Sequence, residues 1–112
     1  AEGILWLLGY REGDVEPGSP APHGAYNLTG SGPVESWAQI AARVFDLANG
    51  NGDAVVPVAT AEYYASAEGP IAPRPEHSAL DLSKIEVAGF EPRDWEKELV
   101  DYFDAYVSEG LI

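Results

Sequence analysis

The sequence contains no cysteine. Disulfides, thiolate metal sites and a cysteine nucleophile are therefore excluded by composition, and a Cys-free chain fits a cytoplasmic protein. Positive charge is scarce as well: six Lys and Arg stand against nineteen Asp and Glu, a net charge of -13. Such a chain repels phosphate backbones and anionic membranes, which argues against nucleic acid and lipid surfaces as partners. No apolar run approaches the roughly 20 residues of a membrane span. The opening AEGILWLLGY lacks the basic n-region and the cleavage site of a signal peptide. Starting on that residue, the chain reads as a piece of something longer. No internal repeat or low-complexity tract is present, and the acids are dispersed as on a solvated surface rather than gathered into a tail.

The 112 residues, 46% of them hydrophobic, suffice for a single domain (1–112), and a chain of this length buries roughly two-thirds of its unfolded surface. Ile4, Leu5, Leu7 and Leu8 give the opening a helical apolar stripe, with Trp6 on another side. REGDVEPGSPAPHGA follows as a loop. Ala25 to Thr29 reads as a short buried strand ending in the glycine-rich turn GSG. Ser36-Trp37-Ala38-Gln39 fits a capping box. Trp37, Ile40, Ala41, Val44 and Ala48 then fall on one face of a helix that ends near Asn49-Gly50. AVVPVA, residues 54–59, reads as a second strand, with Pro57 placing it at an edge. Strand, helix, strand is a βαβ unit, normally a right-handed crossover between parallel strands. A long loop over 60–80 leads to a short helix through SKIEVAG, capped by Asp81 or Ser83. Asp94 caps the last helix, in which Trp95, Leu99, Tyr102, Phe103 and Tyr106 share a face. The expected fold class is α/β, with a small parallel sheet and four helices. Core packing is the expected role of Trp37, Trp95, Tyr102, Phe103 and Tyr106.

Several patterns suggest chemistry and fall short of it. Asn49, Asn51 and Asp53 have the opening spacing of a calcium loop, yet its sixth and twelfth positions hold Ala54 and Thr60 instead of Gly and Glu. A helix-ending turn is the better reading. His23 and His77 form neither HxH nor HExxH, so zinc has no support. No GxSxG elbow is present for a serine hydrolase. GSG at 30–32 matches neither the GxxxxGK[ST] nor the GxGxxG phosphate loop and reads as a turn.

The segment IAPRPEHSALDLSK, residues 71–84, is different. Arg74 is the only Lys or Arg between Arg43 and Lys84, and prolines flank it on both sides. Two readings stay open. Arg74 is either a surface cation paired with Glu68 or Glu76, which contributes little, or a guanidinium presented at low entropic cost to a carboxylate or phosphate. Tyr63 and Tyr64 in the preceding loop are equally open: they plug the edge of a core or stack on a nucleobase.

Taken in order, GAYNLTGSGPVESWAQIAARVFDLA, VVPVATAEY, PRPEHSALDLSKIEVAGF and PRDWEKELVDYF closely resemble the C-terminal part of dTDP-4-dehydrorhamnose reductases. These belong to the extended short-chain dehydrogenase/reductases, and the resemblance runs over about residues 1–107. It implies a substrate-binding lobe closing over a dTDP-sugar, paired with an N-terminal Rossmann domain that holds NADP(H) and carries a Tyr-x-x-x-Lys pair. Neither GxxGxxG nor that pair occurs here, since no tyrosine stands four residues before Lys84 or Lys97. The segment is therefore expected to hold no catalytic residue and no cofactor of its own. Arg74, His77 and Ser78 match the family's RPxxS block near the substrate cleft, so Arg74 is expected to meet a diphosphate or sugar oxygen, with His77 and Ser78 hydrogen-bonding nearby. The loop EYYASAEGPIAP is longer than the family's usual run at that place. Some members bind magnesium through a glutamate of the final helix; the region around Ala105 has none, so no metal is carried over. A non-catalytic interaction module, docking or self-associating through Ile4, Leu5 and Leu8, is the alternative.

Overall fold

The computed structural model describes residues 1–111, except for the side chain of Asn49, which lies outside the described residues together with the ligand role weighed for it. Five α-helices follow one another: α1 (Glu2–Leu7), α2 (Trp37–Asn49), α3 (Thr60–Tyr63), α4 (Ser83–Val87) and α5 (Trp95–Ser108), with a 3₁₀ turn at Gly52–Ala54. The residues gather into two compact units. Unit 1 comprises Ala1–Gly32 and Ala79–Asp101; unit 2 comprises Pro33–Ser78 and the residues from Tyr102 onward.

Helix boundaries follow local chemistry. Ser36 Oγ accepts from the Gln39 amide at 3.3 Å, and the Gln39 side chain accepts from the Ser36 amide at 2.8 Å, completing the capping box of α2. The helix stops at Gly50, whose φ of 65° is the left-handed conformation that glycine adopts without a Cβ penalty. Asp46 then closes the following turn by accepting from the Gly52 amide. Asp94 Oδ1 accepts from the Glu96 and Lys97 amides at 2.9 and 3.1 Å and so caps α5. Further along that helix, in unit 2, the rings of Tyr102 and Tyr106 lie 4.6 Å apart, one turn from each other.

The predicted βαβ unit is not formed. Among the described residues there is no β-strand, only a single parallel bridge between Ser31 and Asp94. The stretches 28–30 and 56–58 are extended, yet their main-chain groups join no backbone hydrogen bond among the described residues. A strand exists through its ladder to a neighbour, and here the two extended stretches fall in different units.

Two side-chain expectations also invert. In unit 1 the buried side of α1 is the tryptophan side: Trp6 donates from Nε1 to the Ala88 carbonyl at 3.1 Å and its ring lies 6.0 Å from that of Phe90. Ile4, Leu5 and Leu8 are exposed. Gly3 makes this approach possible, because a Cβ there would sit 3.3 Å from the Phe90 ring. In unit 2 Trp37 is 84% exposed instead of packed in a core, and Tyr102 is exposed as well. Ile85, on α4, is the one large side chain among the described residues that is fully withdrawn from solvent. The accessible surface is 8959 Å², whereas a folded monomer of 12.0 kDa exposes roughly 6,000 Å². Because Ile85 carries so much of the interior, Ile85→Ala is expected to destabilise the chain by about 2–5 kcal/mol, read as a lower midpoint in urea unfolding.

Candidate functional site

The segment expected to meet a ligand lies in unit 2. One turn of helix, α3, orients the adjacent tyrosines: the Tyr63 amide donates to the Ala59 carbonyl at 2.9 Å and the Tyr64 amide to the Thr60 carbonyl at 3.1 Å. Their rings meet edge to face, 5.0 Å apart at 86°, a favoured aromatic geometry. Tyr63 is exposed, whereas Tyr64 is partly buried.

Every residue from 71 to 80 is exposed. The Arg74 guanidinium stands over the Tyr64 ring, 5.9 Å from its centroid, within the range of a cation–π contact. No ion pair joins Arg74 to Glu68 or Glu76 among the described residues. The structure thus brings together Arg74, Tyr64 and Tyr63. His77 and Ser78 lie further along the same exposed segment and take part in no hydrogen bond among the described residues.

Unit 1 holds a separate groove of about 540 Å³ whose walls include Leu28, Gly30, Phe90, Pro92 and Trp95, with Arg93 at its rim. Arg93 is already engaged: its guanidinium donates to Glu2 at 2.7 Å and approaches Glu98 at 3.4 Å. The charge of Glu2, then that of Glu98, holds the Arg93 pKa above its ordinary value. The sequence reading missed this cluster, because Glu2 lies 91 positions away and only the fold joins the two.

The other cation of the RPEHSALDLSK block is a tether. Lys84 Nζ donates to the Ala25 carbonyl at 2.9 Å and sits 4.6 Å from the Tyr26 ring centroid. Nearby, the Ser83 hydroxyl and then the Ser83 amide hold the Asp81 carboxyl below its ordinary value by hydrogen bonding to the carboxylate.

The GSG turn is likewise committed to structure. A Cβ on Gly30 would lie 2.9 Å from the Trp95 Cβ, and one on Gly32, at φ 105°, would lie 2.8 Å from the Asp94 carboxylate. Its glycines serve the close approach to α5, and the carboxylate beside Gly32 repels phosphate. These residues do not fit a dinucleotide cradle. Among the described residues no group of three or more His, Cys, Asp or Glu is placed to hold a metal ion. No helix there is long and apolar enough to cross a membrane.

Comparison with known proteins agrees with the resemblance read from the motifs. Residues 12–108 match the model of the RmlD substrate binding domain. The chain belongs to that family. It is 36% identical over 88 residues to a dTDP-4-dehydrorhamnose reductase of Aggregatibacter actinomycetemcomitans, an alignment covering 73% of this chain and 28% of that protein. The chain thus spans less than a third of the reductase it matches. No solved structure matches.

Two outcomes are expected. Arg74→Ala leaves the urea midpoint unchanged to within about 0.5 kcal/mol, because an exposed side chain without an ion pair holds nothing together. The Asp81 carboxyl carbon titrates in NMR with a midpoint below 3.8, and Ser83→Ala moves it back up. A carboxylate with a lowered folded pKa adds stability above its unfolded value, and that stability is lost as the pH falls through the lowered one.

Proposed function

We propose that this chain is the nucleotide-sugar-binding lobe of an NADP-dependent dTDP-4-dehydrorhamnose reductase. In this reading it closes over a dTDP-4-keto-6-deoxy-sugar during synthesis of dTDP-L-rhamnose, in the cytoplasm. The observation that carries it is Arg74 mounted between two prolines over Tyr64 with no acidic partner, inside a segment covered by the family match. In a chain of net charge -13, an unneutralised guanidinium is where an anionic ligand is tolerated. Arg74 meets the diphosphate, while His77 and Ser78 lie close enough in sequence to hydrogen-bond the sugar.

The dinucleotide and the proton-transfer pair belong to polypeptide beyond these residues, and so does the hydride-transfer chemistry that NADP(H) supplies. This lobe's share is to hold and orient the sugar nucleotide. The extended stretches 28–30 and 56–58, with their unpaired main-chain groups, are the places where strands of a fuller α/β sheet would add.

The second reading, a non-catalytic interaction module of the same family, is favoured by the exposed Ile4, Leu5 and Leu8 of α1. Those side chains suit docking to the remainder of a reductase. Self-association would set two charges of -13 against each other.

Ligand-observed NMR tests the proposal. The chain is expected to bind dTDP-L-rhamnose weakly, in the millimolar range, because part of the cleft is supplied from elsewhere; Arg74→Ala removes that binding. Incubation with NADPH and a dTDP-4-keto sugar is expected to give no NADPH oxidation. Absence of dTDP-L-rhamnose binding, or binding indifferent to Arg74→Ala, overturns the proposed site.

A further inference from the structure

We propose that Tyr63 is the platform for the pyrimidine base, so that this segment selects a nucleoside diphosphate over a free sugar phosphate. The inference rests on the reading that the lobe binds a nucleotide sugar, and it assigns separate parts of that ligand to separate side chains.

The two tyrosines are not equivalent. Tyr64 is partly buried and has the Arg74 cation over its ring at 5.9 Å, so that face is taken. Tyr63 is 69% exposed, stands edge to face with Tyr64 at 86°, and carries no cation. An exposed ring with an open face offers a base the same stacking that aromatic side chains give single-stranded nucleic acids. Tyr64 is a positioning residue: it steers the guanidinium through the cation–π contact and fixes Tyr63 through the ring contact.

The spacing suits the assignment. Steps of 5.9 Å and 5.0 Å separate the Arg74 cation, the Tyr64 ring and the Tyr63 ring. A nucleoside diphosphate likewise holds its base and its anionic groups apart across one pentose. Glu62, Glu68 and Glu76 stand in the same segment. They oppose any anion that relies on charge alone, so the uncharged stacking contact decides which phosphate-bearing ligands are retained.

Saturation-transfer NMR on the chain with dTDP, thymidine and glucose 1-phosphate tests this directly. Transfer to the thymine methyl and H6 protons of dTDP is expected to exceed transfer to its ribose protons. Tyr63→Ala should weaken dTDP at least about fivefold and leave the faint glucose 1-phosphate signal unchanged, while Tyr63→Phe, which keeps the ring, restores dTDP binding. Arg74→Ala should reduce dTDP and glucose 1-phosphate alike and spare thymidine. Amide spectra of each variant confirm that it folds. If dTDP-L-rhamnose binds but thymine transfer is absent, or Tyr63→Ala has no effect, the base platform is wrong and the sugar-nucleotide reading stands. If no dTDP compound binds at all, both are overturned.

Discussion

Ser31 is bound three times by the residues that lead into α5. Its amide donates to the Arg93 carbonyl at 2.8 Å, its hydroxyl to the Pro92 carbonyl at 2.8 Å, and its carbonyl accepts from the Trp95 amide at 2.9 Å. The glycines on either side let this clasp close, since a side chain at either would strike Trp95 or Asp94. Unit 1 depends on it, because the clasp joins the segment after the first loop to the segment carrying Arg93 and the α5 cap. With the Trp6 indole bonded to Ala88 and Lys84 bonded to Ala25, it is one of three polar ties that hold the unit around Ile85.

Such polar ties compensate for a thin interior. The accessible surface exceeds that of a folded monomer of this mass by about 3,000 Å². Ile4 and Leu5 on unit 1, and Val34, Trp37 and Phe45 on unit 2, all remain in solvent. Apolar area left in water forgoes roughly 25 cal/mol per Å², so a natural setting that covers these residues would be strongly favoured. A family member that spans under a third of its full-length relative has, in the remaining length, a ready source of such cover.

What the sequence made legible was local. The Ser36–Gln39 capping box, the Gly50 stop and the Asp94 cap each depend on partners within four residues, and the structure contains all three. The expectations that failed depended on what lies far along the chain. Ile4 and Leu5 had the better apolar pattern, but Trp6 could also reach Ala88 with its N–H, and that side was buried. Residues 25–29 and 54–59 had strand composition, which cannot supply the neighbour that a ladder requires. At the candidate site, the flanking prolines and the scarcity of cations singled out Arg74. That its ring neighbour is Tyr64, and that Glu68 and Glu76 leave it alone, could only emerge once the loop had a shape. The Arg93 cluster left no trace in the motifs, because neither Glu2 nor Glu98 is patterned with it.

The exposure of Trp37 also has an optical consequence. Trp6 and Trp95 are partly shielded, whereas the Trp37 indole at the start of α2 is bathed in water. Indole emission moves to shorter wavelength and resists external quenchers when protein replaces water around the ring. The chain therefore carries a built-in fluorophore at one edge of unit 2, and whatever covers that edge in the cell announces itself as a blue shift.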